Sequence, residues 1–196
     1  FKMDKFNFDF FEFVGAVIPG IPLFILSSFL ISHAPYSFEV LALSIKNASL
    51  GEVTIAILSC YCIGFCLHHP AFELFQPLIK KFWKKELEGF PVSIGEREKE
   101  LVEIRQKSPN NFKIISKFLA LRQMSYCMFF SLLICFFAFL IAMLFCKDYN
   151  RDILSGILLS LIFGFLFLRR SVAFHQRIQK MISISFEHVN EPRTLH

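Results

Sequence analysis

"MSYCMFFSLLICFFAFLIAMLFC", Met124 to Cys146, runs 23 residues without a charge, a proline or a glycine. A helix needs about 20 mostly apolar residues to cross a hydrocarbon core of roughly 30 Å. Reading backward, no proline or glycine appears until Pro109, so the helix has no reason to stop at the membrane edge. From Asn111 to Cys146 it spans 36 residues, about 54 Å at 1.5 Å per residue. Its first three turns, where Ile115, Phe118, Leu119 and Arg122 recur at helical spacing, should therefore stand in the cytoplasm.

Reading forward, a five-residue turn (147–151) leads into another uncharged run, 152–168 after its opening Asp152. That run continues past Arg169-Arg170 into "SVAFHQRIQKMISISFEHV", with Val172, Ile178 and Ile182 as an apolar stripe. The two spans read as a tight antiparallel hairpin prolonged inward. Two further apolar segments, about 11–32 and 51–69, bring the expected crossings to four. Composition agrees: 55% of the 196 residues are hydrophobic, 27 are phenylalanine, and mean hydropathy is +0.53. An all-α integral membrane protein is expected. Its parts are spans one and two with a short external loop (1–69), a cytoplasmic helical insert (70–123), the span three–four hairpin (124–168) and a cytoplasmic helix and tail (169–196). The first apolar run lacks a small-x-small cleavage site and reads as a retained helix rather than a signal peptide.

Orientation follows from the 21 Lys and Arg. With both termini inside, 18 fall on the cytoplasmic side and 3 outside, which the positive-inside rule favours. In a bacterial cell this places the chain in the inner membrane. The net charge of +5 then needs only anionic headgroups to explain it. Lys80, Lys81, Lys84 and Lys85, around Trp83, read as a membrane-surface group rather than a nucleic-acid grip.

Span one carries Pro19, Gly20 and Pro22. Each proline removes one helical hydrogen bond and crowds the carbonyl four residues back. The freed carbonyls must face protein or water. A static kink and a moving hinge both satisfy that requirement. Span two is expected to stop or kink at His68-His69-Pro70. In the exterior loop, 37–47 is apolar enough to lie as a short interfacial helix. In the insert, Ser93 and Glu96 match a capping box opening a helix at about 94–107. Leu101, Val102 and Ile104 would face inward, while Arg97, Lys99, Glu100, Glu103, Arg105 and Lys107 form a mixed-charge surface suited to docking a soluble partner.

Small residues four apart let helices approach closely in lipid. Span two has Ala56, Cys60 and Gly64, and span four Gly156, Ser160 and Gly164. Either stripe could serve packing within the chain or between subunits, and a homo-oligomer is expected.

Chemistry is sparse. Six cysteines fit no zinc spacing or disulfide framework. His68, His69 and His175 could be arranged around a metal, but adjacent histidines point to different helix faces, and interfacial histidines without metal are the simpler reading. No phosphate-cradling loop, HExxH or nucleophile elbow occurs, so neither catalysis nor a cofactor is expected.

The lead-in "FDFFEFVGAVIPGIPLFIL" (8–26), an insert of about 50 residues, and two close C-terminal spans ending "LFLRRSVAFHQR" resemble small four-span bacterial proteins found beside defence genes. Among them the likeness is to the membrane subunits of the Kiwa anti-phage system. The resemblance implies a tetrameric inner-membrane sensor of infection that recruits or restrains a cytoplasmic DNA-binding effector. Nucleic acid would then be reached only through that partner. A membrane-pore-forming effector is the alternative function.

Overall fold

The computed structural model describes residues 10–32, 38–82, 97–145 and 151–190. Six helices make up these residues: α1 (Phe10–Ser32), α2 (Phe38–Asn47), α3 (Leu50–Phe82), α4 (Glu98–Lys107), α5 (Pro109–Phe145) and α6 (Arg151–Asn190). Among the described residues there is no strand. Within α3, α5 and α6, the stretches Leu50–Phe75, Pro109–Leu144 and Arg151–Val189 are long and apolar enough to cross a membrane, and the chain is a membrane protein on that ground. In α1 the apolar stretch Phe13–Ser28 is shorter.

α5 and α6 lie side by side and antiparallel, and three buried clusters mark their length. Nearest the turn, Cys135 and Phe139 of α5 pack on Ile153 of α6, with Leu23 and Leu26 of α1 against them. In the middle, Tyr126, Cys127, Leu168 and Val172 enclose Ala71 and Phe75 of α3. At the far end, Ile115 meets Ile178 and Ile182, and Ile104 of α4 closes the group; all four are fully buried. α4 thus lies across the prolonged ends of α5 and α6, and the three make a small soluble-type core continuous with the membrane hairpin. The expected stripe of Val172, Ile178 and Ile182 is buried throughout. Of the three α4 residues expected inward, Ile104 is buried, Leu101 packs beside it, and Val102 is 49% exposed. Val102 points away because 101 and 104 are one turn apart on the covered face, and 102 lies about 100° round the helix from 101.

Pro70 does not stop span two. α3 passes through Pro70 and Pro77 to Phe82. An interior proline costs about 3 kcal/mol of helix stability. Ala71 and Phe75, one turn apart, are buried against Tyr126 and Val172, and the close packing of that face holds the segment against its neighbours. The segment after Pro70 therefore remains helical because its face is covered. α1 likewise runs unbroken through Pro19 and Pro22.

The start of α3 carries a cap that its sequence spells as Ser49-x-x-Glu52. The Ser49 N–H and hydroxyl both donate to the Glu52 carboxylate at 2.7 Å, and the Glu52 N–H donates back to the Ser49 hydroxyl. That capping box places an acid at a helix N-terminus, where the free amide dipoles favour it. The capping box expected from the sequence, Ser93–Glu96, lies outside the described residues. The short helix expected within 37–47 is α2, on which Leu43 and Ile45 are exposed.

Candidate functional site

Where α1 meets α3, backbone touches backbone. A Cβ built on Gly20 would lie 1.9 Å from the carbonyl oxygen of Cys60, and one on Gly64 would lie 1.8 Å from that of Ala16. The span-two stripe is thus used inside the chain at Cys60 and Gly64, while Ala56 is half-buried. Pro19 is fully buried beside this crossing and Pro22 half-buried. The span-four stripe faces α5: Gly156 is set against the Phe139 ring, Gly164 near Leu132 and Phe129, and Ser160 is buried. Exposed apolar side chains lie on other faces, among them Leu158, Leu161 and Phe165 of α6, Ile55, Leu58 and Phe65 of α3, and Phe137, Ile141 and Leu144 of α5.

The mixed-charge surface of α4 divides in two. Arg97, at the N-terminus of α4, is turned inward, its side chain 12% exposed. Its Nη1 donates to the Gln179 carbonyl (2.9 Å), Gln179 Oε1 (3.2 Å) and Ser183 Oγ (3.0 Å), and its guanidinium also grips Glu100. Arg97 and Glu100 therefore fasten α4 to α6. Lys99, Arg105 and Lys107 remain exposed, with Glu103 paired to Lys107 and Arg105 over the Phe112 ring. Of the basic membrane-surface group, Lys81 is exposed at the end of α3, Lys80 belongs to the same helix, and Lys84 and Lys85 lie outside the described residues.

A buried polar seam crosses the bundle between the middle and far clusters. Arg122 Nη1 lies 2.9 Å from His175 Nδ1, with Arg122 9% and His175 1% exposed. A guanidinium only donates, so Nδ1 accepts and carries no proton. One turn along α5, the Tyr126 hydroxyl lies 3.1 Å from His68 Nε2. Ser171 and Gln179, one turn either side of His175, are fully buried. The histidines considered for a metal are thus divided: His68 meets Tyr126, His175 meets Arg122, and His69 is exposed beside Glu73. Among the described residues no three His, Cys, Asp or Glu side chains gather as a metal site would require.

Pairing Arg122 with His175 is beyond a linear reading, since 53 residues separate them. A signal was nonetheless present: Arg122 is seven residues from Ile115, and His175 seven from Ile182, so each occupies a core position of its helix. No family model, curated protein or solved structure matches this chain.

Proposed function

We propose that the chain is an oligomeric inner-membrane sensor and scaffold of an anti-phage defence complex, whose cytoplasmic core holds a soluble, DNA-binding effector. The observation that carries the reading is the continuity of α5 and α6, each running from the apolar cluster at the turn to the core under α4, which this reading assigns to the cytoplasm. A displacement in the bilayer is handed along two unbroken helices to the surface a partner would meet. The resemblance of layout described above supports the defence role and a tetramer.

Four crossings with both termini inside complete the topology. α1 has 23 residues, about 35 Å at 1.5 Å per residue, and Val14–Ser32 is uncharged. Because both small-residue stripes are covered within the chain, copies would associate through the exposed faces of α3 and α6.

The docking surface in this reading is Lys99, Arg105 and Lys107, the basic residues of α4 left outward. Charge reversal at these three should abolish co-purification of the effector encoded beside this chain, leaving oligomers cross-linked in native membranes unchanged. Co-purification that survives the reversal removes the docking surface. A reporter fused after Lys107 that is active only outside the inner membrane removes the topology.

A further inference from the structure

We propose that Arg122 anchors a phosphate-binding site at the depth of the lipid headgroups, at the end of the α5–α6 hairpin away from its turn. The proposal rests on the membrane placement of the hairpin and not on the defence reading.

Depth comes from helix length. Arg122 is 23 residues from Phe145, about 35 Å along α5, so it lies just beyond a hydrocarbon core of roughly 30 Å. His175 is 24 residues from Arg151 and reaches the same level on α6. Exposed Arg169 and Arg170 sit slightly shallower, where they attract anionic headgroups toward the seam.

The case for an anion is electrostatic. A buried cation is strongly disfavoured unless it is paired. Arg122 is at least nine-tenths buried, and its neighbours His175 and Tyr126 bring no negative charge. Nη1 is engaged by His175, but Nε is buried without a hydrogen-bond partner. Nε and Nη2 form the edge that grips a phosphate with two parallel hydrogen bonds. The buried Ser171 hydroxyl, one turn shallower than His175 on α6, likewise has no partner. The site thus offers an unpartnered Nε on a guanidinium held in orientation by His175, with a second unpartnered group, the Ser171 hydroxyl, one turn from His175 on α6. A phosphate monoester or diester fits it, and at this depth the abundant source is a phospholipid headgroup. A bound phosphate would also tie α5 to α6 at the junction between bilayer and cytoplasmic core.

The test uses the full chain in dodecyl maltoside micelles and phosphate-free buffer, with phosphatidylglycerol or inorganic phosphate added separately. Native mass spectrometry should find phosphatidylglycerol retained by the wild type and about ten-fold less by Arg122→Gln, as expected for losing a charge-assisted bond. Arg122→Lys, a point charge without the fork, should fall between. In the wild type alone, the Arg122 Nε–Hε resonance should shift saturably on titration, a readout that survives if Arg122→Gln fails to fold. A shift with phosphatidylglycerol but not inorganic phosphate supports a headgroup as the ligand; a shift with both supports a site open to soluble phosphate. No shift with either, or equal lipid retention by wild type and a folded Arg122→Gln, overturns the proposal.

Discussion

Adding one methyl group at Gly20 should separate α1 from α3. The new Cβ would stand 1.9 Å from the Cys60 carbonyl oxygen, 2.6 Å from its carbon and 2.8 Å from its Cα. A carbon and a carbonyl oxygen in contact need about 3.3 Å, so one backbone must retreat by more than 1 Å, roughly. No flexible side-chain end is available to yield. A gap of 0.5–1 Å already forfeits roughly a quarter to a half of the dispersion energy between facing atoms, and in lipid that packing is the main force joining helices. Gly20→Ala should therefore lose about 2–3 kcal/mol, the upper part of the overpacking range. Gly64→Ala should match it, because its Cβ would strike the Ala16 carbonyl. The double variant should cost little more than either single one, since helices already apart no longer collide. Two glycines serve as controls: Gly51 has nothing within 4 Å, and Gly164 would make ordinary contact at 3.9 Å. Unfolding by sodium dodecyl sulfate in mixed micelles, followed by circular dichroism, gives the order. If Gly20→Ala and Gly51→Ala unfold within about 0.5 kcal/mol of each other, an amount ordinary surface changes produce, the close crossing is refuted.

Removing the Arg97 side chain (Arg97→Ala) should free α4 from α6, so amide exchange over 98–107 rises at least ten-fold while 124–144 stays protected; Arg97→Lys should rescue only part, since one ammonium cannot reproduce the fork. Ser49→Ala should raise exchange in the first turn of α3 alone, because the cap is local to that turn. In detergent, a maleimide should modify Cys62 and Cys66, which are exposed, and reach Cys60, Cys127 and Cys135 only after denaturation. Labelling of the buried three at the same rate as the exposed two would contradict the packing of α3 and α5.

Helix identity was legible wherever one physical rule had no competitor. The uninterrupted run from Asn111 lies in α5 as far as Phe145, where the described residues stop, and the stripe through Val172, Ile178 and Ile182 became the inward face of α6. Legibility failed where local preference met tertiary burial. Pro70 reads as a stop or a kink because the missing amide is visible in the sequence, and the stop is overturned by cover that is not visible there, the packing of Tyr126 and Val172 on Ala71 and Phe75. Arg97 failed for the related reason that a charge beside other charges looks solvated until Gln179 and Ser183, more than 80 residues away, supply its acceptors.

The small-residue stripes show a different limit. Spacing marks Cys60–Gly64 and Gly156–Gly164 as equally suited to close approach, yet only the first is a contact of backbones; across the second, the Phe139 ring fills the space. A four-residue period records which side of a helix is thin, and the opposing residue decides how near the neighbour comes. The same reasoning applies to the polar seam. Arg122 and His175 occupy positions whose neighbours two turns away are apolar (Ile115 and Phe129, Leu168 and Ile182), and an apolar side chain at either would pack the seam without the desolvation cost of a charge. Replacing a buried charge by a well-packed apolar side chain is often neutral or stabilising, so packing alone gives no account of the unpartnered Arg122 Nε.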